Sequence, residues 1–170
     1  MKYSLVCEVT KIKPMSDNEM IVRRIMHNDI DAVLTLIRKI GQGHHAKGYR
    51  DLLLTDPGRP LDFSFVCEYK GMLVGVVLAR LEHHVVPPVD TCVIKGIAID
   101  ADFQKRGIGS KLVSHLLNHC YNQGIPKTRA FLYEGETDLA RFFERLSFKR
   151  SKIINYDADF EYLPSEFGTR

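Results

Sequence analysis

The stretch Cys92 to Ile99 (CVIKGIAI) is almost continuously apolar and stops on Asp100, after which the chain runs polar to Arg106 and then turns amphipathic. An apolar run of this kind suits a central strand that is covered on both faces. Beyond the polar loop, Ile108, Leu112, Val113, Leu116, Leu117 and Cys120 recur at helical spacing as far as Gly124, a residue suited to a C-terminal stop. The core must therefore contain a buried strand that feeds a helix through a short polar loop. Gly96 interrupts the strand, and a strand glycine often marks a bulge or a close backbone approach.

The remaining elements follow from the same periodicities. Met20 to Met26 reads as a strand, and Asn28 is placed to cap a helix from Asp29 to about Ile40, whose buried face is Ile30, Val33, Leu34, Ile37 and Ile40. Residues 41–60 read as a surface connection containing one short helix, Tyr49 to Leu54. Leu61 to Tyr69 and Met72 to Leu81 form an antiparallel hairpin across the tight pair Lys70 and Gly71. Pro87 and Pro88 break the chain; Thr128 to Tyr133 is a strand, Thr137 to Leu146 a helix capped by Thr137, and Phe148 to Ile154 a further strand. The expected fold is α/β, a mixed and mostly antiparallel central sheet flanked by helices. Residues 1–19, with an alternating stretch from Tyr3 to Ile12, form an N-terminal extension or edge strand, 20–163 the domain, and 164–170 a tail.

Bulk properties narrow the function. A chain of 170 residues with 45% apolar composition suits one core rather than two. The net charge of +3 is spread along the chain, so a nucleic-acid-associated module has only mild basicity in its favour, and no nucleic-acid partner is expected. No apolar run approaches the roughly 20 residues of a membrane span, and residues 1–15 are too mixed for a secretory signal. Of four scattered cysteines, three lie in apolar stretches where a thiol acts as a small hydrophobe, which suits a reducing cytoplasm.

The chemistry is concentrated in Gln104, Lys105, Arg106, Gly107, Ile108 and Gly109. A helix N-terminus offers unpaired N–H groups and the positive end of the macrodipole to a pyrophosphate. Gly107 and Gly109 clear the approach, while Lys105, Arg106 and Lys111 raise the local potential. A dinucleotide GxGxxG would need glycine in place of Leu112, and no GxxxxGK[ST] occurs.

QxxGxG directly after a strand ending IAI resembles the acetyl-CoA loop of the GNAT superfamily of N-acetyltransferases. IVRRIMHNDIDAVLTLI resembles the opening strand and helix of that family and ARFFERLSF its closing AxxFYxxxGF segment, so the resemblance runs from Ile21 to about Ile154. It implies acetyl-CoA as acyl donor and direct acetyl transfer to a primary amine of a small molecule, peptide or protein. It also implies a splayed strand pair, in which the backbone of Ile97, Ala98 and Ile99 holds the pantetheine arm beside Thr128 to Tyr133. The amides of Lys105 to Ser110 would take the pyrophosphate, and Phe142 and Phe143 would lie near the thioester. A homodimer is a further family expectation.

Several positions depart from the family pattern. Phe143 stands where the family often has a tyrosine that protonates the leaving thiolate, Glu136 where it often has asparagine, and Ser147 where it often has glycine. Val93 and Ile94 occupy the part of the central strand where some members carry a glutamate base. A CoA-binding regulatory module without catalysis is therefore the rival reading. Glu134 and Tyr133 are the candidates for relaying the proton, and the doublet His83 and His84 is the candidate acceptor contact. His115 and His119 fall on the polar flank of their helix, and no metal site is expected.

Overall fold

The computed structural model describes residues 19–40, 63–85 and 88–154, and it separates into two compact units between Tyr133 and Glu134. The expected strand Tyr3 to Ile12 and short helix Tyr49 to Leu54 lie outside the described residues. In the first unit a five-stranded sheet runs in the order β1-β2-β3-β4-β5, with β1 Met20–Arg24, β2 Phe65–Tyr69, β3 Met72–Val85, β4 Pro88–Ile99 and β5 Lys127–Ala130. Three antiparallel ladders join β1 to β4, and the β4·β5 pair is parallel. Helix α1 (Ile30–Lys39) and helix α2 (Ile108–Asn122) also belong to this unit.

The hairpin forms as its sequence implies. Lys70 at φ 50° and Gly71 at φ 79° give the two positive φ values of a type I′ turn, whose twist matches that of the strands. Side chains then alternate along β3. Val76 and Leu78, with Val66 and Ala98, bury against Val33, Leu34 and Ile37 of α1. The opposite face meets α2: the site of a Cβ on Gly75 lies 2.8 Å from Ile99 Cδ1, 3.0 Å from Ile108 Cγ2 and 3.2 Å from Leu112 Cδ1. Each helix thus seals one face of the strand that carries the loop, as the apolar run requires.

Several boundaries differ from the sequence reading. Asn28 does not cap α1; it lies in a 3-10 turn, His27–Asp29, and Asp29 does the work instead. The Asp29 carboxylate accepts the Met26 N–H at 2.7 Å and a bidentate contact from Arg23, whose Nη1 and Nη2 lie 2.7 and 2.8 Å away. Arg23 Nε also donates to Glu68 Oε1 at 3.0 Å, so one guanidinium ties β1 to β2 and to the entrance of α1. That hydrogen-bonded guanidinium holds the Asp29 carboxyl below the usual carboxylate range, against the opposing effect of desolvation. Pro88 does not break the chain but opens β4, a strand end where its missing N–H costs little.

The strand expected at Thr128 to Tyr133 ends at Ala130. In the second unit, helix α3 (Thr137–Arg145) has Glu136 at its N-cap, so Thr137 is its first residue and not its cap. Residues 148–154 form no strand; Ile153 and Ile154 are exposed, and a strand without a ladder partner has nothing to satisfy its backbone. The helix end is well built: Ser147 takes φ 68°, Phe148 N–H reaches back to Phe143 O at 3.1 Å, and the two phenylalanine rings meet at 5.0 Å. This is the Schellman arrangement, with serine where glycine is usual.

Candidate active site

The site begins with an irregularity in β4. Leu78 pairs with Gly96 and Ala79 with Ile94, which leaves Lys95 as an extra residue in the strand. The bulge thus lies directly beside the strand glycine that hinted at it. The parallel ladder to β5 covers Thr91 to Ile94, opposite Lys127 to Ala130, and stops there. From Lys95 to Ile99 the β5 side of β4 carries no ladder among the described residues. A gap therefore opens at the bulge and runs toward the loop, its wall formed by the half-buried Ile97 and Ile99 and the buried Ala98.

At the far end of this wall the chain is fixed from several sides. Asp100 N–H donates to Val74 O at 2.9 Å, while the Asp100 carboxylate accepts the Asp102 N–H at 3.1 Å and the Lys39 ammonium at 2.8 Å. The Lys39 contact lowers the Asp100 carboxyl below its ordinary range. Gln104 Nε2 donates to Ile99 O at 3.2 Å, closing the turn between strand and helix. The Arg106 guanidinium lies over the Phe103 ring at 5.6 Å, and Phe103 meets Tyr69 of β2 at 5.7 Å.

Positive backbone angles shape the loop. Lys105 at φ 58° and Gly107 at φ 82° turn the chain, and a Cβ at Gly107 would meet nothing within 4 Å, so the approach to the helix end is open. Lys111 N–H bonds Gly107 O at 2.9 Å as the first intrahelical bond, so the N–H groups of Ile108, Gly109 and Ser110 have no acceptor within α2. Ile108 is buried and anchors the turn, while Gly107, Lys105 and Gln104 are exposed. The observed backbone fits a pyrophosphate: oriented amides, open space above a glycine and adjacent cations.

The other candidates are more dispersed. Val93 and Ile94 are buried apolar positions, so this stretch of β4 holds no carboxylate. His83 Nδ1 lies 2.7 Å from Asp90 Oδ1 across the β3·β4 ladder, five positions beyond Leu78, or about 16 Å along the strand from the bulge; His84 follows it in β3. Tyr133 is 84% exposed and ends the first unit. In the second unit Glu134 pairs with Arg150 at 3.6 Å, with both side chains solvated. There, too, Phe142 packs on Phe143 at 5.2 Å, and Phe143 is buried. His115 and His119 are more than solvated flank residues: both set their rings on Phe65, at 4.8 and 5.4 Å. The described residues contain no cluster of three His, Cys, Asp or Glu side chains.

Sequence reasoning missed two residues. Lys95, the extra residue of the bulge, forms an ion pair with Glu82 of β3, which stands opposite Thr91; each side chain is about one third exposed at 32%. The signal was a lysine inside an otherwise apolar strand, next to a glycine. The cysteines behave as expected, for Cys67, Cys92 and Cys120 are free and buried. Cys92 and Cys120 hydrogen-bond to each other between β4 and α2, which raises the Cys92 thiol and lowers that of Cys120.

Comparison with known proteins agrees with this geometry. The sequence profile described as Acetyltransferase (GNAT) family matches residues 30–148. An uncharacterized N-acetyltransferase of Methanocaldococcus jannaschii is 24% identical over 148 residues, which are 78% of this chain; the chain spans 62% of that relative's length. The aminoglycoside acetyltransferase AAC(6')-Iy, solved with a bisubstrate analogue of CoA and acetylneamine, superposes with a TM-score of 0.66 at 17% identity, covering 82% of this chain and 98% of its own. Arabidopsis thaliana Naa50, in complex with the bisubstrate analogue CoA-Ac-MVNAL, gives 0.64 at 20% identity and covers 85% and 93%. With its mixed sheet, its bulged central strand and a profile match over most of its length, the chain belongs to the acetyltransferase (GNAT) family.

Proposed function

We propose that this protein is an N-acetyltransferase that moves an acetyl group from acetyl-CoA to a primary amine of a small molecule, peptide or protein. The observation that carries the reading is the junction of β4 with α2, where a gap in the sheet leads to a cradle of oriented amides. Acetyl-CoA enters as co-substrate. The amides of Lys105 to Ser110 would receive its pyrophosphate, and the β4 backbone at Ile97, Ala98 and Ile99 would line its pantetheine arm. Solved relatives in complex with CoA conjugates of an aminoglycoside and of a peptide support an amine acceptor. No helix among the described residues is long and apolar enough to cross a membrane, and three free thiols suit a reducing compartment such as the cytoplasm.

Only a neutral amine attacks a thioester. A lysine-like amine of pKa about 10.4 carries a penalty of roughly 4.6 kcal/mol at pH 7, against about 1.4 kcal/mol for an α-amine of pKa about 8. An acceptor of lowered pKa is therefore favoured. Glu134 and Tyr133 are the candidates that the sequence supplies for its proton, and His83 with His84 would contact an acceptor extended along β3. Phe143, buried and without a hydroxyl, favours the alternative of a CoA-binding module without turnover.

Thermal shift with acetyl-CoA, adenosine and NADH, followed by CoA release over a panel of amines, tests the proposal. Stabilisation by acetyl-CoA well above the other two, together with turnover of an amine, is expected. Equal stabilisation by NADH overturns the CoA reading, whereas acetyl-CoA binding without release of CoA for any amine selects the silent module.

A further inference from the structure

Lys95 stands where the gap between β4 and β5 begins, and its ammonium pairs with Glu82, which lies four positions along β3 from Leu78, opposite Thr91. From Ile99 to Lys95 the strand runs about 13 Å away from the pyrophosphate cradle, a length comparable to an extended pantetheine arm. The thioester of a CoA lying along that wall comes to the bulge. On the α2 face this end of the gap is closed by Ala79, Cys92, Ile94 and Cys120, all buried. On the α1 face, alternation along β3 places Glu82 two positions beyond Arg80 and four beyond the buried Leu78, and here the side chains are polar and partly open to solvent. Thr91 of β4, itself fully buried, stands opposite Glu82 in the register. Beyond the part of this face that α1 covers, the partly exposed Arg80, Glu82 and Lys95 leave a polar edge from which an acceptor would approach.

Resting on the acetyltransferase reading above, we propose that the Glu82–Lys95 ion pair supplies both proton transfers of the reaction: Glu82 accepts the proton of the attacking amine, and Lys95 donates one to the departing CoA sulfur. The amine nitrogen bonds to the thioester carbonyl carbon and its N–H proton passes to the Glu82 carboxylate. The carbon–sulfur bond breaks, and the thiolate takes a proton from the Lys95 ammonium. The protonated carboxyl then returns its proton to the neutral Lys95 amine through their contact, which restores the pair. Amine and thioester become amide and thiol with no proton left over. The pair would supply what Phe143 cannot give and what Val93 and Ile94 do not offer.

Two measurements test this, and the first needs no acceptor. Lys95 beside the sulfur implies that protein-bound CoA ionises at lower pH than free CoA, by about one unit for a nearby ammonium. The ultraviolet absorbance of the thiolate is followed against pH in the wild type and in Lys95→Met. The wild type is expected to show the lowered titration and the variant to lose it; identical titrations in the two proteins overturn the role of Lys95. The second measurement is the pH profile of kcat with an accepted amine. Glu82→Gln is expected to lower kcat by at least about 10²-fold with little change in KM for acetyl-CoA and with loss of the acidic limb. The double variant should be little slower than the worse single one, as for groups that act as a unit. A kcat near that of the wild type in Glu82→Gln, while Glu134→Gln is severely impaired, overturns the assignment and returns the proton to Glu134. Absence of turnover in the wild type counts against the enzymatic reading itself, and the thiolate titration then decides where Lys95 lies.

Discussion

Two single residues carry distinct energetic predictions. Ser147 sits at φ 68°, where a residue with a Cβ is strained by roughly 1–2 kcal/mol, and glycine at this point of a Schellman motif relieves the strain. Part of that gain is offset by the greater freedom of glycine in the unfolded chain. Ser147→Gly is thus expected to stabilise the protein by up to about 1 kcal/mol, read as a rise in the denaturant midpoint; a loss of stability refutes the strain argument. Gly109 lies in the first turn of α2, among the amides that face the approach. Gly109→Glu should abolish acetyl-CoA binding by calorimetry while leaving the melting temperature of the ligand-free protein nearly unchanged, because the carboxylate would occupy the proposed pyrophosphate site. Normal binding by that variant means the loop is only structural.

Between elements, the forces differ on the two faces of the sheet. On the α2 face, Gly75 lets α2 approach β3, and an added methyl would lie 2.8 Å from Ile99 Cδ1 and 3.0 Å from Ile108 Cγ2. Gly75→Ala should cost about 1–3 kcal/mol by overpacking and should also weaken acetyl-CoA binding, because the atoms it pushes belong to the gap wall and to the first turn of α2. On the α1 side, Asp29 with Arg23 fixes the entrance of the helix. A carboxyl with a lowered native pKa contributes its full stability above the ordinary value of about 3.9, and that contribution fades as pH falls through the native value. Asp29→Asn should therefore cost about 1.5–3 kcal/mol near neutral pH, the range for hydrogen bonds to charged groups, and progressively less below pH of about 4. Urea unfolding of both proteins across that window provides the check.

For the whole molecule, ligand binding and folding are linked. The proposed acetyl-CoA site is assembled from β3, β4, α1 and α2, so the unfolded chain is expected to have no comparable site. At an acetyl-CoA concentration about 100-fold above its dissociation constant, stabilisation of about 2.7 kcal/mol is expected. A thermal shift that saturates well below this value would show that the unfolded chain binds the ligand too, or that the site is assembled in only part of the population.

Local pattern alone determined a good deal. The apolar run CVIKGIAI, the polar loop and the helical repeat after it specify β4, the turn and α2 through burial periodicity and backbone chemistry, both of which are written in adjacent residues. The I′ hairpin at Lys70 and Gly71 is legible for the same reason. Three-dimensional proximity decided what adjacency does not encode. Asp29 rather than Asn28 organises the start of α1 because Arg23 arrives from β1 to bind it. Residues 148–154, alternating enough to suggest a strand, form none, because alternation alone does not supply the paired partner a strand needs. Glu82 and Lys95, far apart in the chain, become neighbours only because the β3·β4 register and the extra residue of the bulge turn both onto one face. Ladder register and bulges are properties of paired strands, and a single strand's sequence specifies its own alternation but not the residue that will stand across from it.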